Sequence, residues 1–549
     1  MSGPGPRGGV VWFVTGAALG LAVAGAIAWA AINAIGSETP TAAGPPLLVE
    51  ETTSSDVGHV YGGDYDHYVG GGVAVFDCDS DRKPDLYVAG GSGPAGLYRN
   101  ISDVGGTLEF TALLSAETDL DGVTGGYPLD VDSDGHVDLA VLRHGENVVL
   151  KGQGDCRFAR ANEAWGIDGG DEWTVAFSAT WRDDADFPTL AFGNYREIVE
   201  GGYGPGCEDN YLVEPEGAGY RGAREPLSPG WCTLSALFSD WSGRGKVDLR
   251  FTNDRHYYVD GEEQLWDVSG DVNRLYGRED GWQQMKIWGM GIASHDITGD
   301  GLAEVYLTSQ GDNKLQTLAE GPGQPHYEDI ALIAGATAHR PFTGDNLKPS
   351  TAWHAEFDDV NNDSLIDLLV TKGNVEAQAE FAADDPNNLL LGQADRSFVE
   401  GAEGAGFLDF DRSRGAALAD LNLDGWLDVV VVERTQPVRI WRNTGPEAGG
   451  GHWVQIALEQ PGSNRDAIGS WIEARIGTAT LRREVTVGGG HAGGQLGFSH
   501  LGLGPSDQAE IRVIWPDGEA GPWHRVEADR FVTITRGAAA PELWDPSRD

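Results

Sequence analysis

Five short segments of the chain place oxygen-bearing side chains at one fixed spacing. In Asp130–Leu139, DVDSDGHVDL, acids stand at relative positions 1, 3, 5 and 9. Like charges this close repel by roughly 1 kcal/mol per pair even in water, so the pattern calls for a compensating cation or for many amide donors. The oxygen-bearing residues of the five segments are Asp77, Asp79, Asp81, Asp85, Asp130, Asp132, Asp134, Asp138, Asp296, Thr298, Asp300, Glu304, Asp359, Asn361, Asp363, Asp367, Asp420, Asn422, Asp424 and Asp428.

This spacing of oxygen donors favours Ca²⁺, which takes six to eight oxygen ligands, over Mg²⁺, which resists dehydration. An EF-hand is excluded because it needs a bidentate Glu at position 12, which is apolar in all five segments. The apolar residues there are Val88, Val141, Leu307, Val370 and Val431. For a single segment, the alternative is a turn whose acids cap backbone amides. Five copies in register predict about five Ca²⁺ sites with an architectural role.

Two further copies of the motif are damaged. Trp181–Leu190 keeps only Asp183 in register, and Asp240–Leu249 has Arg244 at position 5, where a guanidinium would take the place of the cation by charge. We expect neither copy to bind metal well. Two of the intact copies lack the glycine at position 6 and carry Arg82 and Ser364 instead. Because of these substitutions, we expect metal occupancy to differ from one loop to the next.

The seven copies form a long-period repeat. They begin at residues 77, 130, 181, 240, 296, 359 and 420, so successive copies are 53, 51, 59, 56, 63 and 61 residues apart. The five intact copies run directly into β-type segments such as DLYVA and DVVVV. Units of this length with several short strands are typical of propeller blades, so seven copies predict seven blades. The fold class predicted is all-β.

The quoted motifs resemble known families. Residues 60–443 resemble the FG-GAP/VCBS repeats of integrin α-subunit propellers, and the tail resembles an ASPIC/UnbV domain through SNRDAIGSWIEARIG, GGGHAGGQ, HLGLG and IRVIWPDG. This arrangement is similar to that of the cartilage acidic protein family and its bacterial relatives. The resemblance implies a seven-bladed integrin-α-like β-propeller over residues 60–444, a small β-rich domain over 445–537 and a tail over 538–549.

The N-terminus predicts one transmembrane helix. Residues 10–36 carry no charge over 27 positions, enough to span a bilayer as a helix, whereas a cleaved signal peptide has a shorter apolar core. Arg7 precedes the span, which favours a single-pass signal anchor in the cytoplasmic (inner) membrane with residues 1–9 inside. Residues 37–59 then form a tether, and the bulk of the protein is periplasmic or extracellular. Cleavage of the segment is the alternative.

Composition limits the classes of partner. The chain has 85 acidic and 38 basic residues, a formal net charge of −47, which repels nucleic acid. Four cysteines in an exported protein permit three disulfide pairings. Cys207 and Cys232 bracket one Gly/Pro-rich insertion, so we predict that they pair with each other and that Cys78 pairs with Cys156.

The sequence favours binding over catalysis. It contains no nucleophile elbow and no His-Glu-x-x-His motif, and GGGHAGG lacks the βαβ frame of a dinucleotide site. His295 and His354 precede metal loops and are expected to be packing or hydrogen-bonding residues. We therefore predict no catalytic residues and a membrane-anchored, calcium-stabilised extracytoplasmic propeller that acts as a protein-binding or scaffolding subunit. Its partner would be a membrane complex, reached through the N-terminal helix. The alternative is a propeller enzyme or lectin that acts on extracellular carbohydrate.

Overall fold

The computed structural model describes residue 1 and residues 41–182, 185–254, 259–270, 272–477 and 479–548. The predicted membrane span at residues 10–36 and the in-register Asp183 lie outside these ranges. Among the described residues, no helix is both long enough and apolar enough to cross a membrane.

The regular secondary structure of the described chain consists almost entirely of short β-strands. From the N-terminus these are β1 (Leu48–Glu50), β2 (Val73–Phe76), β3 (Asp85–Val88), β4 (Gly96–Asn100), β5 (Phe110–Leu113), β6 (Val123–Leu129), β7 (Asp138–Arg143), β8 (Val148–Gly152), β9 (Phe158–Arg160), β10 (Thr174–Thr180), β11 (Thr189–Asn194), β12 (Arg196–Val199), β13 (Gly202–Cys207), β14 (Asn210–Pro215), β15 (Tyr220–Leu227), β16 (Thr233–Ser239), β17 (Asp248–Asn253), β18 (Gln264–Asp267) and β19 (Arg274–Leu275). They continue with β20 (Gly289–His295), β21 (Glu304–Ser309), β22 (Lys314–Leu318), β23 (Tyr327–Asp329), β24 (Ala352–Asp358), β25 (Asp367–Lys372), β26 (Asn388–Gly392), β27 (Phe398–Glu400), β28 (Ser413–Ala419), β29 (Asp428–Glu433), β30 (Arg439–Asn443), β31 (His452–Glu459), β32 (Trp471–Ile476), β33 (Ala479–Glu484), β34 (Ser499–Gly504), β35 (Gln508–Ile514), β36 (His524–Glu527), β37 (Arg530–Thr535) and β38 (Glu542–Trp544).

Among the described residues, helical structure is limited to single turns. Three α-helical turns, α1 (Asn162–Trp165), α2 (Ala331–Ala334) and α3 (Ala402–Ala405), each follow the last strand of a sheet. Each turn ends at a glycine with a left-handed backbone, which satisfies the terminal carbonyls. Short 3-10 turns cover Tyr65–His67, Arg278–Asp280 and Pro546–Arg548.

In the described part of the chain, seven four-stranded antiparallel sheets lie between residues 48 and 443. One edge strand of each sheet is called its first strand, and the first strands are β2, β6, β10, β16, β20, β24 and β28. Each first strand contacts the first strand of the next sheet, and β28 contacts β2, so the sheets form a closed ring. The first strands are almost fully buried, because each is covered by neighbours on both faces. This all-β arrangement is consistent with a β-propeller.

The last sheet combines strands from both ends of the propeller sequence. β1 pairs antiparallel with β30, with Leu48 opposite Asn443 and Glu50 opposite Trp441, and so forms the outer strand of the last sheet. This strand lies inside residues 37–59, which the sequence predicted to be a tether. The difference arises because β1 has only three residues and its partner lies at the far end of the ring.

The C-terminal domain packs two more four-stranded sheets face to face. One has the order β34-β31-β37-β38 and the other β33-β32-β35-β36, around a core that includes Ile456, Ile472, Leu503 and Ile511. β31 and β37 pair in parallel, whereas the remaining pairs are antiparallel. The predicted tail at 538–549 includes β38, which pairs with β37.

A glycine-rich segment of the C-terminal domain fills the centre of the ring. Residues 487–495 form β-bridges to Val75, Gly126, Ala179, Leu237 and Ile292, which belong to five successive first strands. The approach requires glycine, because a Cβ on Gly493 would overlap the backbone carbonyl of Val73 and one on Gly488 would overlap Ser178 and the carbonyl of Ala236. The motif GGGHAGG is therefore a channel plug.

Both predicted disulfides are present. Cys78 pairs with Cys156 and joins the first acidic loop to the turn between β8 and β9 in the next sheet. Cys207 pairs with Cys232 and joins the end of β13 to the chain that enters β16.

Candidate metal centres

The acid at position 1 folds each loop around its own carboxylate. Asp130 Oδ1 accepts a hydrogen bond from Asp134 N at 3.0 Å, and its Oδ2 accepts one from Gly135 N at 2.9 Å. The amide of position 6 makes the same bond in the other four loops, at 2.7–2.9 Å. Position 6 has a left-handed backbone in all five, including the non-glycine residues Arg82 (φ 66°) and Ser364 (φ 68°). The loss of glycine therefore leaves the loop geometry unchanged.

The acid at position 9 ties each loop to two strands of its sheet. Asp138 accepts from Val131 N in the loop and from Gly152 N at the end of β8, both at 2.8 Å. Asp85, Asp367 and Asp428 accept the equivalent pairs of amides. Glu304 differs, since it accepts from Ile297 N and from the hydroxyl of Thr317. A carboxylate has about four lone-pair directions, so each of these side chains can still contact a cation.

Several oxygens at position 3 have no hydrogen-bond partner within the described structure. Asp79 Oδ1, Asp132 Oδ1 and Asn422 Oδ1 are buried in this way. In two loops, oxygens of positions 1, 3 and 9 lie within 4.8 Å of one another: Asp77, Asp79 and Asp85, and Asp130, Asp132 and Asp138. Converging carboxylate oxygens with unused lone pairs fit a hard cation such as Ca²⁺. The donor chemistry of the loops is therefore compatible with the predicted ion.

Burial makes these carboxylates difficult to ionise without a counter-charge. It raises the pKa of Asp138 to about 8 and that of Glu304 to about 7. Burial likewise raises the pKa of Asp359, Asp367, Asp420 and Asp428 well above the usual range, and neighbouring acids of the same loop add to the shift. A bound divalent cation would oppose both effects.

In two of the sheets the third strand places a basic side chain beside the acidic loop, at a position that the acid spacing alone does not indicate. Arg99 Nε lies 3.0 Å from Asp79 Oδ2, and Lys151 Nζ contacts both Asp132 and Asp134. In the other three sheets that carry an intact acidic loop, the equivalent third-strand residues are Thr317, Leu391 and Arg442. Arg442 turns away to Glu51, at 2.8 Å. In the sequence, the segments LYRN at 97–100 and IWRN at 440–443 both carry an arginine at this position, and this recurrence is the signal that could have identified it.

The two damaged copies carry their own positive charge. Lys246 Nζ lies 3.3 Å from Asp248 at position 9 and 2.9 Å from Asp267 on the third strand. In the copy at 181–190, Arg182 pairs with Glu214, the corresponding third-strand residue. The basic group beside the acids of the copy at 240–249 is thus Lys246, and not Arg244 as the spacing predicted, because Arg244 is exposed.

The acidic loops all follow the C-terminal ends of the first strands, and the C-terminal domain lies against this side of the ring. Its contacts include Asn464 N to Ser133 Oγ (2.9 Å), Glu484 Oε1 to Asp240 N (2.7 Å), Arg482 to Gly301 O (2.6 Å), His500 Nε2 to Asn362 Oδ1 (2.7 Å) and Gln455 Nε2 to Asp420 Oδ2 (2.8 Å). The candidate metal loops therefore form much of the interface between the two domains.

The two histidines singled out in the sequence lie near the plug. His354 Nδ1 accepts from His491 N at 3.0 Å. His295 borders a cavity of about 210 Å³ between the first strands and the plug, and neither of its ring nitrogens has a partner within the described structure. Burial lowers the pKa of His295 to about 4, so the imidazole is neutral. Of the two histidines, His354 is the one that hydrogen-bonds the plug.

At the opposite ends of the first strands, aromatic side chains cover the mouth of the ring. The rings of Tyr65 and Tyr203 lie 5.2 Å apart, and both contact Trp173. Tyr203 donates to Asp66, and Arg196 donates to Tyr65 at 2.6 Å. Tyr65 and Tyr203 are half-buried, and the Arg196 guanidinium lies 5.7 and 5.3 Å from their ring centroids. Aromatic rings next to a carboxylate are suited to contact a sugar, because they combine an apolar surface with a hydrogen-bond acceptor.

Comparison with known proteins supports the two-part architecture. A family model described as an FG-GAP-like repeat matches residues 77–141, and one described as ASPIC and UnbV matches residues 460–541. These matches support a repeat propeller followed by a C-terminal domain. No curated protein matches the sequence.

Three solved structures illustrate the structural similarity. BBS1N in complex with ARL6DN aligns at 9% identity over 73% of this chain and 99% of that chain, with a TM-score of 0.42. An Agrocybe aegerita lectin described as recognising non-reducing terminal N-acetylglucosamine aligns at 15% identity over 69% and 95%, with a TM-score of 0.37. PorZ, described as a surface component of the type-IX secretion system of Porphyromonas gingivalis, aligns at 13% identity over 87% and 60%, with a TM-score of 0.37.

Proposed function

We propose that this protein is a calcium-stabilised, seven-bladed propeller of the cartilage acidic protein-like type that serves as a protein-binding or scaffolding subunit. The observation that carries the proposal is the filled channel, because residues 487–495 bridge five first strands at the centre of the ring. Propeller enzymes with paired carboxylates in the channel need that space for substrate. With the centre occupied by its own chain, the molecule offers its outer surfaces for recognition.

Calcium would be held by the oxygens at positions 1, 3, 5 and 9 of the five intact loops. The unpartnered Asp79, Asp132 and Asn422 oxygens support this assignment. When bound, the ion would neutralise buried carboxylates and fix each loop against the strand that follows it. Its role would be structural.

The N-terminal segment would anchor the propeller in the cytoplasmic membrane with its bulk outside. The support is the uncharged run at residues 10–36, in which Gly16, Gly20, Ala24 and Ala28 recur every four residues. Such a small-residue face lets another helix approach closely, so the partner would be a membrane-embedded protein.

Co-purification in mild detergent tests the proposal. We expect the full chain to retain a membrane protein that the double variant Gly16→Leu/Gly20→Leu loses. Ala18→Leu/Ala22→Leu, on the opposite side of the predicted helix, is the matched control and should keep it. If all three chains purify with the same proteins, or with none, the helix face makes no contact.

A carbohydrate-binding role is the second candidate. It is favoured by the half-buried rings of Tyr65 and Tyr203 beside Asp66 at the mouth of the ring. Screening the calcium-loaded protein on a glycan array tests it. Binding that Tyr203→Ala abolishes would support this candidate, and cleavage of a glycan would replace the scaffold proposal with an enzymatic one.

A further inference from the structure

The loop at Asp420–Asp428 lies where the ring closes. The last sheet meets the first sheet here, since Gly105 N donates to Asn422 O at 2.8 Å and Asn422 Nδ2 donates to Gly106 O at 2.9 Å. These bonds join residues that are far apart in the sequence and complete the ring. A change in this loop therefore acts on the closure of the whole ring.

The same loop receives the C-terminal domain. Gln455, a buried residue of β31, donates from Nε2 to Asp420 Oδ2 at 2.8 Å. Next to it, the indole of Trp453 lies where a Cβ on Gly425 would be, so only glycine fits at position 6 of this loop. One side chain of the C-terminal domain thus holds the position-1 carboxylate directly.

The loop also has an unused oxygen that points to a ligand. Asn422 is only 1% exposed, and its Oδ1 has no hydrogen-bond partner within the described structure. Its Nδ2 lies 3.1 Å from Asp424 Oδ2, so the amide lies among the acids of the loop. The basic residue of the third strand, Arg442, is paired with Glu51, so its charge is directed away from the unpartnered Asn422 oxygen. An oxygen-binding cation such as Ca²⁺ suits the position that this oxygen and the acids of the loop leave open.

We propose that Gln455 positions Asp420 for calcium, so that calcium binding at 420–428 and docking of the C-terminal domain favour each other. The proposal rests on the proposed calcium binding and adds its coupling to the domain interface. Groups that hydrogen-bond a metal-binding side chain fix its orientation, and coupling between two equilibria is reciprocal. Asp77, the position-1 acid of the first loop, provides the contrast because its bonds from Asp79, Ser80 and Arg82 are all internal to the loop.

Calcium titration of a Gln455→Leu variant tests the first half of the coupling. We expect the affinity of one site to fall roughly tenfold while the other sites are unchanged, since losing such a partner commonly costs 10–100-fold in metal affinity. Gln460→Leu is the control, because the Gln460 side chain donates to Asn464 O and accepts from Arg536 Nη1, both in its own domain. Equal titration curves for the parent and Gln455→Leu would overturn the coupling.

Amide exchange of the plug tests the reciprocal half. Gly489 N and Gly490 N donate to Ala236 O and Ile292 O of the propeller, both at 2.7 Å, so their exchange reports docking. In calcium, Asp420→Asn should speed their exchange, whereas Asp77→Asn should not. If both variants speed it equally, or neither does, the proposed coupling is wrong. If Asp420→Asn binds as many ions as the parent, calcium binding at this loop fails instead.

Gln455→Glu separates positioning from simple packing. A carboxylate beside Asp420 adds repulsion that calcium relieves, so we expect the melting temperature to fall without calcium and to recover with it. The loss of a packing contact alone would lower both values equally, and that result would contradict the proposal.

Discussion

Lys151 is placed to compete with the proposed calcium ion for the loop at Asp130–Asp138. Its ammonium contacts Asp132 and Asp134, and these two acids raise the pKa of Lys151 despite the opposing effect of partial burial. We expect Lys151→Met to bind calcium about tenfold more tightly at this loop, since one positive charge beside the site is removed. Calorimetric titration measures it, and Lys314→Met is the control because the Lys314 ammonium pairs with Asp329 of β23 and not with an acidic loop. Weaker binding would mean that Lys151 orders the loop.

Glu263 makes stability depend on pH. The side chain is buried, its Oε1 accepts from Asn253 N at 3.0 Å, and burial raises the pKa of Glu263 to about 8. Between pH 4.5 and about 8, the folded protein keeps a proton on Glu263 that the unfolded chain has released. The free energy of unfolding is therefore highest, as far as Glu263 is concerned, below pH 4.5. It falls by about 1.4 kcal/mol for each pH unit above 4.5 until the pH passes about 8.

Glu263→Gln should therefore be more stable than the parent at pH 8 and show a smaller loss between pH 5.5 and 8. Urea unfolding at the two pH values measures the difference. Glu403→Gln, an exposed acid on α3, is the control and should leave the dependence unchanged. An unaltered pH dependence in Glu263→Gln would show that this carboxyl is ionised in the folded protein.

At the scale of elements, the plug depends on backbone contact. A Cβ on Gly493 would overlap the carbonyl oxygen of Val73, which belongs to a buried strand and cannot move aside. We expect Gly493→Ala to destabilise the protein by about 1–3 kcal/mol, as overpacking does elsewhere. Thermal melting measures it, and Gly323→Ala, where no atom lies within 4 Å, should melt like the parent. Equal melting of both variants would show that the plug is not tightly held.

The sequence predicted those elements that short-range patterns encode. The acid spacing identified the loops and the strands that begin at Asp85, Asp138, Glu304, Asp367 and Asp428, because ligand spacing and β-propensity are properties of adjacent residues. The family matches support the order of propeller and C-terminal domain. The disulfide partners also followed from sequence, since the insertion bracketed by Cys207 and Cys232 stood out by composition.

Contacts between distant segments were beyond the sequence pattern. Nothing in GGGHAGG indicates which strands it bridges, and Val75 and Gln495 meet only because the ring brings the first strands together. β1 is too short for a periodic signal. Docking of the C-terminal domain on the acidic loops depends on three-dimensional shape, so Gln455 could not be assigned from one sequence.

At the scale of the whole molecule, calcium removal should lower stability at several loops together. A ligand that binds only the folded protein adds RT ln(1 + [L]/Kd) per site, about 2.7 kcal/mol at one hundred times Kd. We expect EDTA to lower the melting temperature clearly relative to millimolar Ca²⁺, and Asp134→Ala to reduce the number of bound ions by one. Identical melting curves in the two buffers would contradict calcium stabilisation.

The pairing of β1 with β30 determines when the protein can finish folding. Synthesis begins at the N-terminus, so Leu48–Glu50 is made early but has no partner until Arg439–Asn443 exists. Closure is thus a late and long-range step, of the kind that slows folding. Until it occurs, β30 has an open edge to which another chain can add a strand. Newly synthesised molecules are accordingly most prone to aggregate in the interval before β1 pairs with β30.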